Sequence, residues 1–162
     1  MAGRIEEDLY FAGHVSFKSV TLPDGSVSNA QIAPSAAIAT SKQRHKHRKG
    51  RGQNGTASAE TVGAHVCAGA TATVVAFKAG SITACTGDAT ITVDLRKNGS
   101  SILAAAIVLD SSNTARVAEA ASIASPSLVA GDWLEVVVTV NAGTGSLGTG
   151  LYWDLEIDED AS

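Results

Sequence analysis

The chain has 162 residues and a formal net charge of −4, which leaves room for one domain with a true core plus an arm, but not for two full domains. Hydrophobic residues make up 44% of it but aromatic ones only 4%, so a core must be built from Val, Ile, Leu and Ala in thin layers, which favours sheet on sheet. No apolar run approaches the roughly 20 residues of a membrane span, and the start Met1-Ala2-Gly3-Arg4-Ile5-Glu6-Glu7-Asp8 is too acidic for a secretory signal, so the expectation is a protein made and kept in a cytosol.

Charge is distributed unevenly: −2 over residues 1–41, +6 over 42–51 and −8 over the remainder, so half of the Lys and Arg sit in ten residues. Cys67 and Cys85 are the only cysteines and their spacing matches no metal motif. They are expected to be buried thiols rather than a disulfide framework.

Residues 1–41 read as an extended arm. Leu9-Tyr10-Phe11 and the segment from His14 to Leu22, with Val15 and Phe17 at alternate positions, are short extended stretches, and Pro23-Asp24-Gly25 is a turn signal. Ile32 and Ile38, six residues apart, fit neither a helix nor a strand. Such a segment cannot bury a core alone. Its spaced large residues (Leu9, Tyr10, Phe11, Val15, Phe17, Ile32 and Ile38) are what an arm lying on a partner's surface needs as anchors.

Residues 42–55 read as a basic, Gly-rich flexible linker. Lys42, Arg44, Lys46, Arg48, Lys49 and Arg51 repel one another and seek an acidic complement. Nucleic acid is one candidate, but no aromatic residue interrupts the run to stack on a base. The acidic body of the chain or an acidic particle surface serves equally well, so no nucleic-acid partner is expected. His45 and His47 point to one face of an extended chain, and three chains around an axis would gather six imidazoles for a transition metal. The flanking cations oppose this; a pair of solvated histidines, with no metal or other cofactor, is the expectation.

Residues 56–162 carry the fold. Segments rich in β-branched residues recur between turn signals at 62–66, 71–77, 90–96, 102–109, 116–123, 134–140 and 151–157. In the segment 90–96, alternation places Ile91, Val93 and Leu95 on the core face and polar residues outside. Asn98-Gly99 then signals a type I′ hairpin. Ala130-Gly131-Asp132 reads as a tight turn before 134–140, and four glycines within 141–150 mark a loop. The Ala-rich pieces 104–106 and 118–121 are read as strand. Seven or eight short strands without crossover helices predict an all-β fold, an antiparallel β-sandwich of jelly-roll-like size preceded by the arm.

Catalysis is not indicated. No G-x-S-x-G elbow is present, and His14, His45, His47 and His65 all precede most of the β-domain. Asp154, Glu156, Asp158, Glu159 and Asp160 read as the wet face of a strand and its tail, without EF-hand spacing. Trp133, Tyr152 and Trp153 are candidates for packing or an oligomer interface; alternation allows at most one of the last two in the core. The rival reading for exposed aromatics is sugar stacking.

The runs Ser28-Asn29-Ala30-Gln31-Ile32 and Ala36-Ala37-Ile38-Ala39-Thr40-Ser41-Lys42, followed by the His/Arg cluster, resemble the N-terminal pattern of capsid decoration (cement) or head-fibre type proteins of tailed phages. Ala79-Gly80-Ser81-Ile82, Asp94-Leu95-Arg96-Lys97-Asn98-Gly99, Gly131-Asp132-Trp133-Leu134-Glu135-Val136 and Gly148-Thr149-Gly150-Leu151 are similar to blocks of that family's jelly-roll domain. The resemblance implies a virion surface protein, commonly a homotrimer, whose arm attaches to the major capsid protein and whose β-domain projects or clamps neighbouring capsomers. No catalytic motif comes with it. A fibre module recognising a host surface glycan is the alternative.

Overall fold

The computed structural model describes residues 44–160, and the arm expected over 1–41, with its seven candidate anchors, lies outside the described residues, as does Lys42. Ten strands form two antiparallel sheets packed face to face as a β-sandwich, and no helix occurs among the described residues. One sheet contains β1 (Arg44–Gly52), β10 (Thr149–Asp160) and β3 (Thr71–Thr83), with the short β7 (Glu119–Ala120) and β8 (Ser127–Val129) both pairing β3. The other contains β2 (Glu60–Val66), β9 (Trp133–Asn141) and β4 (Thr90–Lys97), with β5 (Ser100–Ser101) and β6 (Ile107–Leu109) pairing β4.

Alternation builds the core. Ile91, Val93 and Leu95 of β4, Leu134, Val136 and Val138 of β9, and Leu151, Leu155 and Ile157 of β10 are almost wholly buried, as are Val74 and Phe77 of β3. The inner faces of both sheets are thus aliphatic, with Phe77 and Trp153 in contact at 6.5 Å between ring centroids. The expected hairpin is present: Asn98 and Gly99 both have positive φ, 50° and 87°, and Arg96 and Lys97 pair with Ser101 and Ser100. Asp94, on the outer face of β4, is nevertheless covered, accepting hydrogen bonds from Arg96 and Ser101. Cys67 and Cys85 are separate buried thiols.

Three expectations need correction. The continuous strand at 102–109 breaks. Ile102 still donates to Leu95 O of β4, but residues 103–106 leave it to meet the segment 121–124, through Ala104 N–H to Ser122 O and Ala124 N–H to Ile102 O, so the Ala-rich piece 104–106 is not strand and lines a depression of about 340 Å³. Within 116–123 only β7 is strand, because Arg116 sits at φ 64° in a turn tied to Ser81. The short β8 follows Pro126 and was not expected at all.

The largest correction concerns the linker. Residues 44–52 are not an open tether but the edge strand β1, paired with β10 from Arg44↔Asp160 to Gly52↔Tyr152. The next residues stay attached to the sheet edge, through Gln53 N–H to Leu151 O and Ala57 N–H to Gly148 O. Like-charge repulsion does not hold the run open because strand alternation splits the cations between two faces, and each face meets acids.

Candidate functional site: a buried glutamate between two strand edges

On the outer face of β1, Lys46 and Arg48 lie diagonal to the acids of β10. Lys46 Nζ is 3.3 Å from Glu156 and 4.0 Å from Asp158, and Arg48 donates to Asp154 at 2.9 Å. The Asp154 hydrogen bond, with its charge, holds the Arg48 guanidinium above its ordinary value. These pairs are exposed, so they set register more than they stabilise. On the inner face, Arg51 reaches Glu60 of β2 at 3.0 Å. Lys49 has no acidic partner among the described residues. Arg44 contributes its backbone to the ladder. The acidic complement expected for the basic run is therefore, in large part, this chain's own C-terminal strand.

His45 and His47 share that inner face; His45 is exposed as expected, whereas His47 is half-buried and drawn to Glu159. β10 buries Leu151, Trp153, Leu155 and Ile157, and the next residue in phase is Glu159, only 4% exposed. Reading Glu159 as part of a wet strand face was wrong; it stands where the pattern calls for an apolar residue. Its Oε1 accepts the N–H groups of Ala68 and Gly69 at 2.6 and 2.5 Å, and its Oε2 lies 3.0 Å from Nε2 of both His65 and His47. Burial alone would raise this carboxyl. The two backbone N–H groups, followed by the charge and hydrogen bond of His65, outweigh burial and hold it below the ordinary carboxylate value. With Glu159 ionised, the Nε2 of His65 must carry the hydrogen it donates.

His65 reaches the cluster through a β-bulge. Plain alternation of Val62, Ala64 and Val66 would turn His65 outward. The ladder to β9 instead shifts between Gly63 and His65, leaving Ala64 as the extra residue. The phase therefore flips: the His65 side chain is 9% exposed while Val66 is turned out to 59%. The rings of His47 and His65 then approach to 5.2 Å between centroids, with His45 6.5 Å from His47. Gly69 completes the site, since a Cβ there would collide with the carbonyl oxygen of Asp160.

Both oxygens of Glu159 are thus engaged, Oε1 by the 67–69 turn and Oε2 by His65 of β2 with His47 of β1 alongside, which suits a clamp between the two sheet edges. Cys67 next to it is a poor nucleophile, because burial and the Glu159 charge raise its thiol above the ordinary value. Among the described residues no set of three or more His, Cys, Asp or Glu is arranged to hold a metal ion.

The aromatic candidates separate. Trp153 is 5% exposed within the chain's own core, so it is withdrawn as an interface residue. Tyr152 is half-buried on the outer face with its hydroxyl over Gly80. Trp133 is 41% exposed beside the cluster. The participation of His65 was missed because a one-residue bulge leaves no signature in composition. That of Glu159 was available from its phase with Leu155 and Ile157. No protein-family model matches the chain, and no curated protein matches it.

Proposed function

We propose that the chain is a non-enzymatic structural protein of a phage-like particle. In this reading it is a capsid decoration protein, attached to the major capsid protein through residues 1–41 and acting as an oligomer, in keeping with the sequence resemblance to that family. The observation that carries the reading furthest is the course of residues 44–57. Residues 44–57, which follow the arm in the sequence, are zipped to β10 and clamped through Glu159, so this stretch is part of the sandwich and not an open tether. A cement protein must transmit its attachment between neighbouring capsomers, and an oligomer presenting several arms gains avidity.

The test is co-sedimentation of the full-length protein and a Δ1–41 variant with assembled shells, alongside light-scattering mass with and without chelator. The full-length protein is expected to decorate shells as an oligomer, and the truncated one to remain folded and fail to bind. Unchanged binding by Δ1–41 overturns the arm's role, a full-length monomer overturns the avidity, and a mass that collapses only with chelator replaces a β-domain interface by a metal shared through His45 and His47. A second reading, a fibre module recognising a host surface glycan, is favoured by the exposed Trp133.

A further inference from the structure

The surface beside the Glu159 clamp has features that the clamp does not require. His47, Lys49, His65, Val66 and Trp133 line an open groove of about 540 Å³ between β1 and β2, within the size range of small-ligand sites. The six-membered ring of Trp133 closes on Gly63, where a Cβ would come within 3.5 Å of Cζ3. The indole is thereby backed by the β2 strand, yet 41% of the residue stays exposed. Lys49, on the facing strand, is the one β1 base with a described side chain that no acid of the described residues pairs. A backed aromatic platform and an unspent cation therefore share one groove.

We propose that this groove binds an anionic glycan through a carboxylated sugar, the Trp133 ring covering the apolar C–H face of the pyranose and the Lys49 ammonium pairing with its carboxylate. The chemistry discriminates against the other occupants. The core of a subunit interface is depleted in lysine, whereas this groove is walled by Lys49 and two imidazoles, with Val66 as its one large aliphatic. Nucleic acid needs several free cations along its backbone, and the other bases of β1 with described side chains, Lys46, Arg48 and Arg51, are already paired. A single carboxylate matches a single free ammonium. The site is separable from shell attachment, since its groove residues lie at 47–66 and 133 rather than in the arm.

The experiment is an NMR titration of the full-length protein, following the indole N–H signals of Trp133 and Trp153, with 3′-sialyllactose, a glucuronate-containing disaccharide and, as neutral control, lactose. Trp133 is expected to shift with one or both acidic sugars while the buried Trp153 does not, and the responding arm identifies a sialic acid or a uronic acid as the source. Lactose is expected to bind roughly ten-fold more weakly, the loss of one charge-assisted contact. Trp133→Ala should weaken binding by about ten-fold or more, and Lys49→Gln should abolish the preference for acidic over neutral sugar. Circular dichroism checks that both variants fold. No Trp133 shift with any sugar, equal affinity for lactose and sialyllactose, or unchanged binding by Trp133→Ala overturns the proposal. So does a fall in oligomer mass in Trp133→Ala without any sugar binding by the parent protein, which makes the ring an interface residue.

Discussion

His65 Nε2 and Glu159 Oε2 stand 3.0 Å apart, joining a strand of one sheet to the last strand of the other across 94 residues of sequence. The same oxygen faces His47, and the other carboxylate oxygen holds the 67–69 turn. Replacing this carboxylate by an amide keeps the shape but puts an N–H₂ group where either the His65 donor or two backbone donors expect an acceptor. Glu159→Gln should therefore cost about 1–3 kcal/mol, seen as a lowered denaturation midpoint at fixed protein concentration. A midpoint equal to that of the parent would show that the clamp contributes nothing.

The same residue gives a pH dependence with a definite sign. A carboxyl held below its ordinary value in the folded chain contributes stability that is fully present above the unfolded value, about 4.3, and is lost as the pH falls through the folded value. Asp88, Asp110 and Asp132 are lowered too, each chiefly by hydrogen bonds from nearby backbone N–H groups or hydroxyls, so acid should destabilise the domain through several groups. The part due to Glu159 is isolated by difference. The gap in unfolding free energy between the parent and Glu159→Gln should be constant from pH 5 to 6 and close as the pH drops below about 4. A gap that widens in acid contradicts the assignment.

Gly69 offers a test that changes no charge. Its N–H donates to Glu159, and a methyl group there meets the Asp160 carbonyl, which is backbone and cannot swing aside. Gly69→Ala should displace the end of β10 and cost roughly 1–3 kcal/mol. Hydrogen exchange should rise at residues 157–160 and in β1 more than in β4. Uniform protection would mean that the turn adjusts freely.

The parts of this fold that could be read in advance are those whose determinants are local. The 2-residue period of Ile91, Val93 and Leu95 and the positive-φ demand at Asn98-Gly99 lie within a dozen residues, and both strand and turn are as expected. β1 could not be read this way because its stabilising partner is about a hundred residues further on: Lys46 and Arg48 repel each other until Asp154, Glu156 and Asp158 lie alongside. The divided strand at 102–109 has the same cause, since Ile102 and Ala104 are recruited by Ser122 and Ala124. Within the site, His45 and His47 were rightly placed on one face, while His65 depended on the unannounced bulge at Ala64.

The thiols provide an independent check on the packing. Cys67 and Cys85 are both buried and unbridged, and Cys67 is held protonated by burial and the neighbouring Glu159. A thiol reagent at neutral pH should modify neither residue in the folded chain and both in denaturant. In Glu159→Gln, Cys67 should react sooner than Cys85, because the turn that covers it has lost its anchor. Rapid labelling of Cys67 in the parent protein would contradict its burial.

Truncation separates a tether from a strand most directly. If residues 42–55 merely connected an arm to a domain, removing 1–41 or 1–55 would leave equally stable proteins. Here the second deletion removes β1 entirely, uncovers the hydrogen-bonding edge of β10, strips Asp154, Glu156 and Asp158 of their cations and takes away His47. An uncovered β10 edge invites pairing between chains. Δ1–41 should therefore melt close to the full-length protein, while Δ1–55 should melt several degrees lower, on the order of 4–8 °C per kcal/mol lost, and aggregate at low salt. Equal melting temperatures for the two truncations would return residues 44–52 to the role of a linker.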